Sequence, residues 1–224
     1  MIVVIPLVII GLGISLLFIP KNIASKVIYY LSLYLFIYKL VEYTYHAINL
    51  NVIKTPIEFS TISYFVLSIT VVFKLDRFKG VAAFTGFISG IGYLISYMFV
   101  NNVFYNNIGK YLTNMALINH SILYFASMLL MKNKKFYMFD QLKIIIFTAI
   151  YVIYALIIKS IVTYTQKHIF ILMLFDGELL QMVTNNSNPS NFAYILYFIV
   201  LIIIYLLAIN IFLLINRLFN KLNT

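Results

Sequence analysis

Two histidines, His46 and His120, and two glutamates, Glu42 and Glu58, interrupt stretches that are otherwise almost wholly apolar. Imidazoles and carboxylates are the side chains that exchange protons most readily near neutral pH, so this set points to acid–base work or to a polar ligand. Glu42 and His46 are four residues apart, which puts both on one face of a helix. His120 stands beside Asn119 in NMALINHSILYFASMLLMKNKK (114–135), a run that ends in a lysine cluster. Asn101, Asn102 and Asn119 supply hydrogen-bonding neighbours for the same group.

Three chemistries fit these types. In the first, His120 is a general base, Ser60 or Thr61 a hydroxyl nucleophile, and Glu58 or Glu42 the orienting carboxylate of an acyl transfer or ester hydrolysis. Around a helix axis Glu58 and Thr61 lie about 60° apart and Glu58 and Ser60 about 160° apart. An inward Glu58 therefore favours Thr61, whereas an inward Ser60 leaves Glu58 to cap its helix; both remain open, and no nucleophile-elbow motif decides between them. In the second, Glu42, His46 and His120 line a polar cavity and exchange protons during binding or transport of a small solute. In the third, a divalent metal would need more: no HExxH or comparable ligand spacing is present, so no metal and no cofactor is expected.

These residues must be positioned by membrane helices. The chain has 224 residues, 63% hydrophobic and 10% charged, whereas charged residues alone approach a quarter of a soluble domain. Its apolar runs are continuous, without the alternation of a transmembrane barrel. The expected fold class is all-α: one polytopic domain of seven transmembrane helices, at about 2–19, 27–48, 57–73, 80–100, 112–131, 142–160 and 192–215. The first is expected to be a retained helix, since it lacks a basic leader and a small-residue cleavage site. Residues 161–191 form an outer loop, in which KHIFILMLFDGELLQMV, broken by Asp176, Gly177 and Glu178, is read as interfacial or re-entrant.

Lysine and arginine set the direction. Lys21, Lys26, Lys74, Arg77, Lys79, Lys132, Lys134, Lys135, Lys143, Arg217 and Lys221 fall on one side, against Lys54, Lys110, Lys159 and Lys167 on the other. The bias puts the N-terminus outside and the C-terminus in the cytoplasm of a cell-membrane protein. Measured at 1.5 Å per residue, Glu42 then lies roughly 9 Å below the outer end of its helix, His46 roughly 3 Å, and Asn119 and His120 roughly 10 Å below theirs. With Glu58 in the first turns of the third span, the four titratable groups share the outer third of the membrane.

Composition closes other routes. Cysteine is absent, which removes disulfides, thiolate metal sites and a cysteine nucleophile. The net charge of +10 punctuates the apolar runs and accompanies no nucleic-acid motif, so nucleic acid is not an expected partner. Membrane lipids and a small polar ligand are; no protein partner is indicated. Gly86 and Gly90, in small-xxx-small spacing on the fourth span, imply close helix packing or the seam of a non-catalytic scaffold.

The order TPIEFSTISYFVLSITVVFK, AAFTGFISGIGYLISY, INHSILYFASMLLM, IFILM and NPSNFAYILYFIV, over about residues 40–215, resembles the bacterial YwaF family of seven-helix membrane proteins, which looks related to a eukaryotic membrane acyltransferase family acting on phospholipids. The family's third-helix pattern is Pro-Leu-His-Leu-Cys-Ser; here it reads Pro56-Ile57-Glu58-Phe59-Ser60-Thr61, and the family's fifth-helix histidine falls on His120. The resemblance implies a lipid-modifying enzyme in which Ser60 replaces the cysteine and His120 is its base, or a relative that has lost catalysis.

Overall fold

The computed structural model describes residues 3–51, 55–162, 170–185 and 189–222. Lipid offers no hydrogen bonds to a bare backbone, so an apolar chain satisfies its amides within helices. Every long element is helical: α1 (Val4–Ser15, tightening into a 3₁₀ turn at Leu16–Phe18), α2 (Lys21–Ile48), α3 (Phe59–Val72), α4 (Lys79–Ile108), α5 (Lys110–Asn133), α6 (Met138–Ile161) and α9 (Asn191–Leu222). Two short helices, α7 (Phe170–Phe175) and α8 (Glu178–Thr184), lie within the segment read as an outer loop. Gly109 separates α4 from α5 at φ +87°, a conformation costly to any residue with a Cβ.

Among the described residues, five helices are long and apolar enough to cross a membrane: those in α2, α4, α5, α6 and α9. The spans expected at 2–19 and 57–73 form shorter apolar helices, Val4–Phe18 and Phe59–Val72. Fourteen residues of α3 reach only about 21 Å, less than a hydrocarbon core of about 30 Å. Proline is the local reason on both flanks: Pro20 caps α2 in an extended conformation, and Pro56 precedes the extended Glu58 that begins α3.

Helix α5 is the centre of the bundle. Of its most apolar window 67% is buried, against 17% for α6 and for α9, whose exposed leucines, isoleucines and phenylalanines face outward. The closest approach is α4 on α5. A Cβ on Gly90 would lie 2.8 Å from the Tyr124 backbone nitrogen and 2.9 Å from the His120 carbonyl, and one on Gly86 would strike the Ser127 hydroxyl. Both glycines are thus consumed by packing within the chain, not left as a seam for a second copy. Gly13 makes the same concession on α1, where the Tyr124 ring fills the place of its Cβ and the Tyr124 hydroxyl donates to the Ile10 carbonyl at 3.2 Å.

One end of the bundle gathers the lysine-rich connections. Lys132 donates to the Leu17 carbonyl, Asn133 to the Ser25 hydroxyl at 3.3 Å, and Lys134 to the Asp76 carbonyl at 2.7 Å. Asn216 of α9 accepts from the Phe136 N–H at 2.8 Å and donates to the Met131 and Lys134 carbonyls at 2.8 and 3.0 Å. The last carbonyls of α5 have no partner within their own helix, so a side chain from another helix caps them. Lys54 and Lys167, assigned to the opposite side, lie outside the described residues.

Candidate functional site

The polar residues of α2 to α5 meet where Gly90 lets α4 and α5 touch. At that contact the His120 ring reaches across to Ser89, with Nδ1 3.0 Å from the backbone carbonyl. A carbonyl only accepts, so Nδ1 carries the proton, and a neutral ring keeps its lone pair on Nε2. The ring is stacked on Tyr93 with centroids 4.2 Å apart and planes 2° from parallel, and Tyr64 flanks it at 5.5 Å.

Tyr64 also holds Lys39, whose ammonium lies 4.5 Å from the ring centroid; Tyr38 contributes a second ring at 5.2 Å. Lys39 is only 8% exposed, and its charge is balanced by Glu42 at 2.6 Å, three residues along the same helix. An ammonium inside a membrane span is tolerable on these terms: paired, and wrapped by π faces that substitute for water. The sequence Glu42, Lys39, Tyr64, His120, Tyr93 is therefore one connected array spanning α2, α3, α5 and α4.

Hydroxyls and an amide complete it. Ser63 donates to the Phe59 carbonyl at 2.7 Å, which uses its proton, so Ser89 is the donor in the 2.7 Å contact between the two serine hydroxyls. Asn119 is 2% exposed, sits beside the Tyr38 hydroxyl, and leaves its Oδ1 without a hydrogen bond. Leaving a buried amide oxygen without a hydrogen bond costs about 1–3 kcal/mol.

The remaining predicted residues are distributed around this array. Thr61 accepts from the Tyr43 hydroxyl at 3.3 Å and does not bond His120. Ser60 is half-buried, one turn before Tyr64, and among the described contacts none joins it to an imidazole. Glu58 precedes α3 without capping it through its side chain, and its charge acts on Tyr43 and Tyr151. His46 lies one turn beyond Glu42, half-buried, edge-on to its neighbour Tyr45 at 5.7 Å. Asn101 and Asn102 stand on α4 beyond its bend at Val100, and their side chains lie outside the described residues. No group of three or more His, Cys, Asp or Glu among the described residues is arranged to hold a metal ion.

Tyr64, Tyr93 and Ser89 are the members that sequence reasoning missed. The signal was weak: in a chain with 19 tyrosines, nothing but spacing distinguishes them, Tyr64 three residues after Thr61 and Tyr93 four after Ser89. Chemically the array offers a cation with a half-exposed carboxylate partner, an imidazole lone pair and an amide oxygen without a hydrogen bond. No family model, no curated protein and no solved structure matches this chain, so the site's own geometry carries its interpretation.

Proposed function

We propose that this chain is a seven-span cell-membrane protein, N-terminus outside and C-terminus cytoplasmic, that binds a small polar solute among α2, α3, α4 and α5 and carries it with protons. The observation that carries this reading is the Lys39–Glu42 pair, held at 2.6 Å inside a span with Lys39 buried against Tyr64, a ring that also contacts His120. Intramembrane charges are expensive, and ones that can trade partners are the working parts of binding and transport sites. Glu42 is the more exposed member, 35% against 10% for the Lys39 side chain, so an arriving anionic group could take its place if Glu42 left with a proton. The lysine and arginine asymmetry supports seven crossings, since a miscounted helix would scramble it, and a short α1 and α3 can cross where the bilayer thins around them.

The test is proton entry into pyranine-loaded proteoliposomes, with alanine, lactate and choline as zwitterionic, anionic and cationic probes. At least one probe is expected to accelerate proton entry in the parent and not in Glu42→Gln. Identical traces from the two proteins with every probe would remove the proposal.

Phospholipid acyl transfer is a second reading, favoured by the fifth-helix histidine that resembles the YwaF family's and by the unprotonated Nε2 of His120, although the third-helix histidine and cysteine positions carry Glu58 and Ser60. It requires Ser60 or Thr61 to come within hydrogen-bonding reach of that nitrogen when lipid binds. Radiolabelled phospholipid converted equally by the parent and His120→Ala would count against it.

A further inference from the structure

At the lysine-rich end, the turn between α3 and α4 lies beside the link between α5 and α6. Lys134 donates to the Asp76 carbonyl at 2.7 Å and Lys143 to the Arg77 carbonyl at 3.0 Å, while Gly80 is close enough to Asp140 that a Cβ would sit 3.0 Å from it. Both acids here are already occupied. Asp76 pairs with Lys79 at 2.5 Å; Asp140 accepts from the Tyr137 N–H at 3.0 Å and faces Lys143 at 3.5 Å. Lys74, Arg77 and Lys135 remain exposed, with no carboxylate in ion-pair range among the described residues.

Next to these cations along the chain are three exposed aromatic rings, Phe73, Phe78 and Tyr137, the last with its centroid 5.8 Å from the Lys135 ammonium. Cations alone would suit any polyanion. Rings exposed at the end of membrane helices suit the one place where phosphates lie directly above hydrocarbon. We propose that these two loops bind the phosphate headgroup of an anionic phospholipid: Lys74, Arg77 and Lys135 engage its oxygens, and Phe73, Phe78 and Tyr137 seat beside the upper carbons of its acyl chains. This surface is independent of the Lys39 site and stands whichever solute that site takes.

Native mass spectrometry of the detergent-solubilised full chain, given equal phosphatidylglycerol and phosphatidylcholine with identical acyl chains, reads the preference directly. The parent is expected to retain phosphatidylglycerol selectively, and Lys74→Gln/Arg77→Gln/Lys135→Gln to lose that selectivity by about tenfold or more. Lys74→Arg/Lys135→Arg should keep it, as should Lys110→Gln at the opposite end. Arg77→Gln alone, with a loss of about fivefold, serves if the triple variant does not fold. Equal retention of both lipids by the parent, undiminished selectivity in the glutamine variants, or an equal loss in Lys110→Gln would overturn the proposal. So would displacement of the lipid by inorganic phosphate at matched ionic strength, which would mark a free-anion site.

Discussion

The imidazole of His120 lies flat on the ring of Tyr93, centroids 4.2 Å apart, while its Nδ1 proton is given to the Ser89 carbonyl at 3.0 Å. The ring is therefore held by its face and by one edge. His120→Phe keeps the stack and loses the hydrogen bond, an expected cost of about 1 kcal/mol; His120→Ala also opens a cavity and is expected to cost about 2–4 kcal/mol. The chain has no tryptophan and no cysteine, so loss of the monodisperse size-exclusion peak on heating is the suitable readout. Equal losses in the two variants would show that the stack contributes nothing.

Breaking the Lys39–Glu42 pair leaves a buried ammonium uncompensated. Glu42→Gln is expected to destabilise the protein by about 2–4 kcal/mol, whereas Lys39→Met/Glu42→Leu should recover most of that. Losses that simply add across the double-mutant cycle would deny the coupling. Lys159 and Asp176 also pair, between α6 and the turn joining α7 to α8, but both are substantially exposed; Asp176→Asn is expected to cost less than about 1 kcal/mol.

Three glycines on α4 should separate cleanly. Gly90→Ala forces backbone against backbone on α5 and is expected to cost about 2–3 kcal/mol or more, since no rotamer change can relieve it. Gly86→Ala meets side-chain ends at Ser127 and Leu67, which can shift, so its cost should be smaller. Gly92 has nothing within 4 Å of its missing Cβ, and Gly92→Ala should gain about 0.5–1 kcal/mol from helix propensity. Thermal stabilities in any other order would contradict the α4–α5 contact.

The absence of cysteine makes orientation easy to read. With the proposed direction, Lys110→Cys should react with an impermeant maleimide in intact cells, and Lys135→Cys only after the membrane is opened. The reverse pattern would invert the topology.

Asn216→Leu keeps the volume of a buried side chain but leaves the Phe136 N–H and the Lys134 carbonyl short of a partner, while the Met131 carbonyl retains Asn220 at 3.2 Å. The expected cost is about 2–4 kcal/mol, seen as earlier thermal loss. A neutral outcome would mean that the α5–α6 link does not depend on α9.

The sequence by itself determined the all-α class, the long apolar helices and the uneven distribution of lysine and arginine, because each follows from composition along a line, but not which of the seven expected spans are full length. It also contained the Lys39–Glu42 pair, since a partner three residues away on one helix needs no second element. Tertiary structure alone decided that the proton of His120 goes to Ser89, that Tyr64 contacts both that ring and Lys39, and that Thr61 takes the Tyr43 hydroxyl instead of an imidazole. The reason is physical. In lipid a helix is apolar on all sides, so hydrophobic periodicity does not mark the face that packs. Which polar groups meet is set by where two backbones can come close, and here that is the missing side chain of Gly90 against the carbonyl of His120.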